Sequence, residues 1–540
     1  MTSLSLQSLV TEVSKDVDRL SNFYTQHILP HLAKRSKATY VAVAVAAYIS
    51  YQVYKLVHIP KKLQHIPAVS FWAYMRSALS GAATDDRLDL IYPVLARSPS
   101  GLFLKPNRGG WSVGVVGPQA MKSIWIRKDD YPKSRIFVLE KESLAAKLVG
   151  SNNIIVLNGP EWKKHRMIAN PAFHRHMPVK LFGTLCEKMI KRFEIEDDGL
   201  SRVNVPALMQ RFTLDVIGLA GFGYDFQAID NEGSHRVKMY NSIMDGLKNT
   251  LFFFYPFLDK YMLWAFPTRR QQHLDCAAMH QVYQTVIDNK RKVISGQKER
   301  QENPEKDLLT LMLEAGEEDP SQALSNDELR ENLNIFFIAG HDTTSNALSF
   351  ALYLLAKNPD VQEKARKEVI EVLGDGADIV YPTETQLSQL KYIYMVMKET
   401  LRLCPPVQSG QFRRTEEETV LDGTVIPKDV HVQAEIFIAH HNPAVWKDAE
   451  QFRPERFAPG GENEENAKNG LAWAPFGNGA RQCIGMNFSL AEQRVVLSML
   501  LRKFTWSLPK DSIHKDHIIF TGGLGLLSAK DLYLTFQNRF

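Results

Sequence analysis

Two places in this sequence combine residue types and spacing that could do chemistry: a cysteine set among glycines, and an acid beside an alcohol. Near the C-terminus runs Phe476-Gly477-Asn478-Gly479-Ala480-Arg481-Gln482-Cys483-Ile484-Gly485, followed by apolar residues at helical spacing, Met486, Leu490, Val495, Val496 and Leu500. Glycines let a loop turn tightly and approach a flat ligand closely. A helix starting just past the sulfur aims N–H groups and its positive end at it, which favours a thiolate able to donate to a metal. A buried cysteine in a glycine-rich turn is the plainer alternative. Upstream, Asn332 to Leu355 is an apolar helical run interrupted by Ala339-Gly340-His341-Asp342-Thr343-Thr344. Glycine costs about 1 kcal/mol inside a helix and threonine is also unfavourable, so propensity does not explain the insert. Ala339 and Thr343 are four apart and share a face, where small residues let a flat ligand lie against the backbone. Asp342 beside Thr343 can be reprotonated from solvent, and the two together can deliver protons. Close packing against another helix would use the same small residues.

The first stretch matches F-G-x-G-x-R-x-C-x-G at every fixed position, and the second matches A-G-x-[DE]-T-[TS]. Both resemble the signatures of the cytochrome P450 haem-thiolate monooxygenases, and the resemblance covers nearly all of the chain from about residue 60 onward. It implies haem b (iron protoporphyrin IX) as cofactor, with Cys483 as axial thiolate and metal ligand inside a loop that includes Phe476 and Gly485. It also implies Asp342 and Thr343 as the catalytic pair that manages protons during O2 reduction. His341 reads as a variable helix residue, since its neighbours supply no second ligand at a spacing typical of zinc. Glu399-Thr400-Leu401-Arg402, followed by Cys404-Pro405-Pro406, and Phe452-Arg453-Pro454-Glu455-Arg456-Phe457 resemble the family's E-x-x-R helix and P-E-R-F segment. Carried over, Glu399, Arg402 and Arg456 form a structural triad supporting the cysteine loop. Glu363-Lys364-Ala365-Arg366 fits the same tetrapeptide template and reads as a solvated helix pair.

The same resemblance assigns cofactor contacts. Trp162-Lys163-Lys164-His165-Arg166 is similar to the family's W-x-x-x-R, so Trp162 and Arg166 would reach a haem propionate, with Arg481 in the same role. After Pro405-Pro406 the family usually has another propionate arginine; Arg413 and Arg414 both qualify, and Arg413 is the choice. Implied substrate-pocket positions are Ala339, Thr343, Val407 and Leu524. The aromatic run at residues 250–257, with Trp264-Ala265-Phe266 beyond it, would cover the substrate entrance where membrane lipid is in reach.

The elements that must position these residues read as an α+β body, mainly α-helical, with small β-sheets at its margins. Residues 101–105 and 111–116 read as strands around the turn Asn107-Arg108-Gly109-Gly110, residues 119–400 are overwhelmingly helical, and strand-like pieces return at 413–432 and 518–540. The expected domains are an N-terminal extension (1–37), a transmembrane anchor (38–57), a proline-containing linker (58–70) and a haem-thiolate catalytic domain (71–540). The anchor is read from the uncharged run Ala38 to Tyr54, with Tyr40, Tyr51 and Tyr54 toward its ends. By resemblance to microsomal members it would make a single pass through the endoplasmic reticulum membrane, with the body facing cytosol.

Composition excludes some classes. Hydrophobic content of 44% and charged content of 23% describe a folded globular protein, and a formal charge of +5 over 540 residues gives no argument for nucleic acid as a partner. The four cysteines lie far apart with no CxxC pair, against a disulfide framework and compatible with a reducing compartment. No dinucleotide or flavin motif is present, so electrons are expected from a partner, by resemblance NADPH-cytochrome P450 reductase. The expected activity is insertion of one atom of O2 into a lipophilic small molecule such as a steroid, fatty acid or foreign compound. Alternatives that keep the fold are a haem-thiolate isomerase or dehydratase acting on peroxides, and a non-catalytic haem-binding sensor.

Overall fold

The computed structural model describes residues 37–79, 87–107, 110–135, 140–174, 177–193, 200–296, 306–319, 323–521 and 525–540. The chain divides into two compact units, residues 1–61 and 62–540. The helix expected in the first unit forms as α1 (Lys37–Val57). The expectation of a membrane anchor finds no support: no helix among the described residues is long and apolar enough to cross a membrane. The expected linker ends early. Leu63, Ile66 and Val69 are buried, and Val69 N–H donates to Leu104 O while Leu104 N–H donates to Pro67 O, so this stretch is part of the second unit.

The second unit is built round long helices. The principal ones are α2 (Gly159–Phe173), α3 (Val205–Phe222), α4 (His235–Lys248), α5 (Pro267–Gly296), α6 (Asn326–Lys357), α7 (Lys391–Leu403) and α8 (Met486–Lys503). At 32 residues α6 is about 48 Å long, and it is buried over most of its length. Its start is fixed by a capping box: Ser325 Oγ accepts from Glu328 N–H (3.2 Å) and the Glu328 carboxylate accepts from Ser325 N–H (2.8 Å). The apolar run did not reveal that start, although Ser-x-x-Glu at 325–328 is its sequence mark.

Strands β1 (Leu102–Asn107) and β2 (Gly110–Val115) pair antiparallel with Asn107 opposite Gly110, the expected hairpin. The order β1-β2-β5-β4 completes a four-stranded sheet with β4 (Arg413–Arg414) and β5 (His431–Ala434). A second sheet joins β3 (Leu200–Asn204), β7 (Tyr533–Asn538) and β6 (Phe504–Ser507). A small ribbon at 419–426 turns at Asp422-Gly423, both with positive φ (47° and 76°), as an Asp-Gly hairpin turn requires.

On α7, Glu399 and Arg402 are wholly buried and Arg456 nearly so. Arg402 grips the carboxylate with two donors (2.7 and 2.8 Å), and Arg456 Nε adds a third at 3.1 Å. The guanidinium groups then donate to His440 O, Gln451 O and Asp448 O, so three backbone carbonyls hang on one carboxylate. The Glu363–Arg366 copy is not the solvated pair expected. Arg366 is buried and donates to Leu501 O and Phe504 O at the end of α8, while only Glu363 is exposed. Removing one partner of a buried network leaves the others uncompensated. Glu399→Ala should therefore lower stability to urea by about 3–5 kcal/mol, and a loss below about 1 kcal/mol would show that the fold does not lean on this carboxylate.

Candidate active site

The cysteine loop is shaped by two glycines with positive φ, Gly477 (66°) and Gly479 (67°). A side chain at either would also press on Trp125: its ring at 3.1 Å from position 477, its carbonyl oxygen at 2.9 Å from position 479. Phe476 O accepts from Cys483 N–H (2.9 Å) and closes the loop. Gly485 precedes α8 in ordinary φ, and a methyl there would meet only Phe173 at 3.7 Å, so nothing steric demands glycine at that position. Protein surrounds Cys483 on all sides, yet its side chain is accessible, as befits a group lining an internal cleft. Burial pushes its thiol up, against the Gly485 N–H donated to the sulfur and the charge of Arg166. Loop and helix thus act on the sulfur in the expected sense while desolvation opposes them, and a bound metal cation would add to the side of the thiolate.

Above the loop the structure gathers positive charge. Arg166 Nη1 donates to Gln482 O (3.0 Å), Arg481 lies 3.8 Å over the Trp162 ring, and Arg413 lies 5.1 Å over the Trp125 ring. Arg413 rather than Arg414 is the interior one. The alternation of β4 buries Arg413, and Arg414 is left outside, paired with Asp429. Lys133 joins them: it bridges to Arg413 along the backbone, and Asn158 Oδ1 accepts both from Lys133 N–H (3.0 Å) and from Arg481 Nη2 (3.1 Å). Lys133 Nζ has Ile155 O as acceptor (2.8 Å). Burial, then Arg481, Arg413 and Arg166, hold it well below the usual lysine range. Burial likewise brings Arg481 down to about 9 and Arg413 to about 10. None of these four cations makes an ion pair among the described residues, and Arg413 Nη2 and Arg481 Nη1 are buried without an acceptor. Orphaned cationic donors beside an enclosed, accessible sulfur fit a metal-bearing group that carries carboxylates, which is what haem is. Sequence reasoning missed Lys133, which sits in an aperiodic stretch; Asn158, immediately before Gly-Pro-Glu, carried a helix-start signal.

On α6 the insert presents three faces. Ala339 is exposed in the middle of a largely buried helix and Thr343 is half-buried, its Oγ1 donating to Ala339 O (2.6 Å). Gly340 instead admits Ile217 of α3, whose Cδ1 would lie 3.0 Å from an added methyl, so this glycine serves helix packing. Asp342 faces away from Thr343 and is buried, not open to solvent: Tyr240 Oη donates to its Oδ2 (2.5 Å) and Gln210 Nε2 to its Oδ1 (3.4 Å). His341 is fully buried, its Nδ1 against Phe337 O (2.7 Å). Thr344 Oγ1 lies 2.9 Å from Ser489 Oγ and ties α6 to α8, so the two motifs share one neighbourhood. Val407 is half-buried and bridges to Leu526; Leu524 lies outside the described residues.

Comparisons with known proteins agree with this geometry. A family model described as cytochrome P450 matches residues 109–535. The 11-oxo-beta-amyrin 30-oxidase of Glycyrrhiza uralensis is 29% identical over 75% of this chain and 76% of the relative. The taurochenodeoxycholic 6 alpha-hydroxylase of Sus scrofa is 31% identical over 72% of this chain and 75% of its own length. The crystal structure of the cytochrome P450DA heme domain superposes with a TM-score of 0.71 at 24% identity, covering 88% of this chain and 98% of that one. This chain belongs to the cytochrome P450 family, monooxygenases whose haem iron is held by a cysteine thiolate.

Proposed function

We propose that the chain inserts one atom of O2 into a lipophilic molecule of steroid, fatty-acid or foreign aromatic type, with electrons drawn from NADPH through a separate reductase. The observation that carries this reading is Cys483, enclosed by protein yet accessible, near Arg413 and Arg481, each of which keeps one buried donor without an acceptor. When bound, haem supplies the iron at which O2 is activated. Cys483 would be its ligand, and Arg166, Arg413, Arg481 and Lys133 would hold its carboxylates, Trp162 and Gln482 O keeping two of the guanidinium groups in place. Ala339 leaves room for substrate beside Thr343, with Val407 and Leu524 completing the pocket in this reading. Thr343 holds a proton at Oγ1 and Asp342 is the acid that restores it. Glu399, Arg402 and Arg456 keep the chain beneath the cysteine loop in register and touch no reacting atom.

The names of the relatives, an oxidase of 11-oxo-beta-amyrin and a hydroxylase of a taurochenodeoxycholic substrate, support a lipophilic class. Contact with an endoplasmic reticulum membrane from the cytosolic side is supported by the aromatic segment at 250–266, where Tyr255, Phe257, Tyr261 and Trp264 are exposed while Phe252 packs inward on Phe266. A lipophile dissolved in that membrane would meet the segment first.

The deciding experiment screens a lipophile panel for a shift of the ferric Soret band and then identifies products. Turnover should require NADPH, reductase and O2; product formed without NADPH would move the chain to the isomerase or dehydratase reading, and haem binding with no NADPH use at all to the sensor reading. Cys483→Ala should abolish the long-wavelength Soret band of the reduced carbon monoxide complex, and its survival would give the iron another ligand. Thr343→Ala should divert NADPH oxidation from product to peroxide; unchanged coupling removes Thr343 from proton delivery. Lys133→Met should speed haem transfer to apomyoglobin about tenfold, the usual scale for one charge-assisted hydrogen bond, with Lys133→Arg close to wild type. An unchanged transfer rate in Lys133→Met would exclude the lysine from the carboxylate cradle.

A further inference from the structure

Asp342 and Thr343 are adjacent in sequence, but their side chains diverge around α6. Thr343 shares the cleft-facing side with Ala339, whereas Asp342 is 8% exposed and its carboxylate is turned toward α3 and α4. Two donors meet it there, Tyr240 Oη on Oδ2 at 2.5 Å and Gln210 Nε2 on Oδ1 at 3.4 Å, while His341 Nε2 lies 3.2 Å from Oδ1 without a hydrogen bond to it. The Tyr240 bond is the short, charge-assisted one, and Gln210 divides its amide between Asp342 and Asn241 Oδ1 (3.2 Å). Tyr240 is itself buried, its ring edge-on to His341 (4.5 Å) and Phe337 (5.4 Å). Burial and the Asp342 charge push its phenol well above the ordinary range, so the hydroxyl acts as a donor and stays protonated. A carboxyl group held on that side of the helix cannot meet Thr343 Oγ1 until it rotates. Among its contacts, the Tyr240 bond is the strongest that opposes the rotation.

We propose that Tyr240 is a positioning residue for proton delivery: its hydroxyl parks Asp342 on the α4 side of α6, and a displacement of α4 that breaks this bond releases the acid toward Thr343. The inference rests on the reading of Asp342 and Thr343 as the proton-handling pair. α4 is suited to this task because it runs directly into the aromatic segment at 250–266, proposed above to lie at the entrance, so a lipophile arriving there acts on the helix that carries Tyr240. The carboxylate takes up a proton from water reaching the half-buried Gln210 and Asn241 as the Tyr240 bond breaks. When the carboxyl group turns, that proton passes to Thr343 Oγ1 as the threonine's own hydrogen moves into the cleft, leaving the carboxylate to be protonated again. Delivery is thereby withheld while the cleft lacks substrate, which limits wasteful oxidation of NADPH.

Tyr240→Phe tests this, since it deletes the hydroxyl and keeps the ring packed on His341 and Phe337. In protein labelled with carbon-13 aspartate, the Asp342 carboxylate stretch (isolated by subtracting Asp342→Asn) should shift in Tyr240→Phe, a readout that needs no turnover. In the holoenzyme with reductase and no added lipophile, NADPH consumption should rise about tenfold, the scale of losing one hydrogen bond to a charged group. Fluorotyrosine at position 240 strengthens the donor without changing the fold and should lower the same rate below wild type. An unmoved infrared band, or an unchanged resting rate in both variants, overturns the proposal. A purely structural Tyr240 would lower thermal stability in Tyr240→Phe without moving the band. If Thr343→Ala leaves coupling to product intact, the acid–alcohol reading itself falls and this inference with it. If Thr343→Ala uncouples while Tyr240→Phe leaves the resting rate and the band unmoved, only the role of Tyr240 is lost.

Discussion

Buried positive charges repel one another and lose their hydration, so a protein keeps a group of them inside only where something negative completes it. Arg413, which is buried, and Lys133, Arg166 and Arg481, which are partly so, are such a group, drawn from four separate segments of chain. Burial depresses the titration of Lys133, Arg413 and Arg481, and for Lys133 and Arg481 the neighbouring cations add to it. Two tryptophan faces, the Asn158 amide and a few backbone oxygens hold them in place, and none of these neutralises charge. The sulfur below is incomplete in the complementary sense. Its thiol is pushed up by burial, and a metal cation would favour the ionised form. One ligand with a cationic centre and anionic arms answers both demands, which is the electrostatic shape of haem.

That requirement explains how the surrounding elements are built. Gly477 and Gly479 let the cysteine loop lie against Trp125, whose other role is to support Arg413. The Glu399 carboxylate gathers Arg402 and Arg456, and through them the backbone at 440, 448 and 451, so the long segment between α7 and the cysteine loop has a fixed origin. A buried triad of this kind is a weak source of net stability but a strong source of definition, because any other arrangement strands a charge. Arg366 does a comparable job with backbone oxygens, stapling the end of α8.

α6 carries several tasks at once because successive residues on a helix point about 100° apart. Gly340 takes the packing contact with α3, Ala339 and Thr343 face the cleft, and Asp342 is handed to Tyr240 and Gln210. A six-residue insert of small and polar groups is therefore not one device. It is a packing notch, a lining and an acid held in reserve.

Much of this was legible in the sequence, and the reason is range. Loop glycines with positive φ, the helix after Cys483, the Asp422-Gly423 turn and the long apolar helix all follow from local sterics and periodicity within a dozen residues. So does the E-x-x-R spacing, since i and i+3 always share a helix face. The family itself could be recognised because its two motifs are local. What the sequence could not decide was anything set by partners far along the chain. Whether Arg413 or Arg414 turns inward depended on β4 pairing with β5, and the two E-x-x-R copies parted company only once α8 packed against Arg366. Asp342 looked solvent-fed because its sequence neighbours are polar, yet Tyr240, 102 positions away, took its carboxylate. Local spacing alone determined which chemical groups this protein brings to its cleft; only the packing of distant helices and strands decided which way each group faces, because direction in a folded chain is set by whatever fills the space opposite.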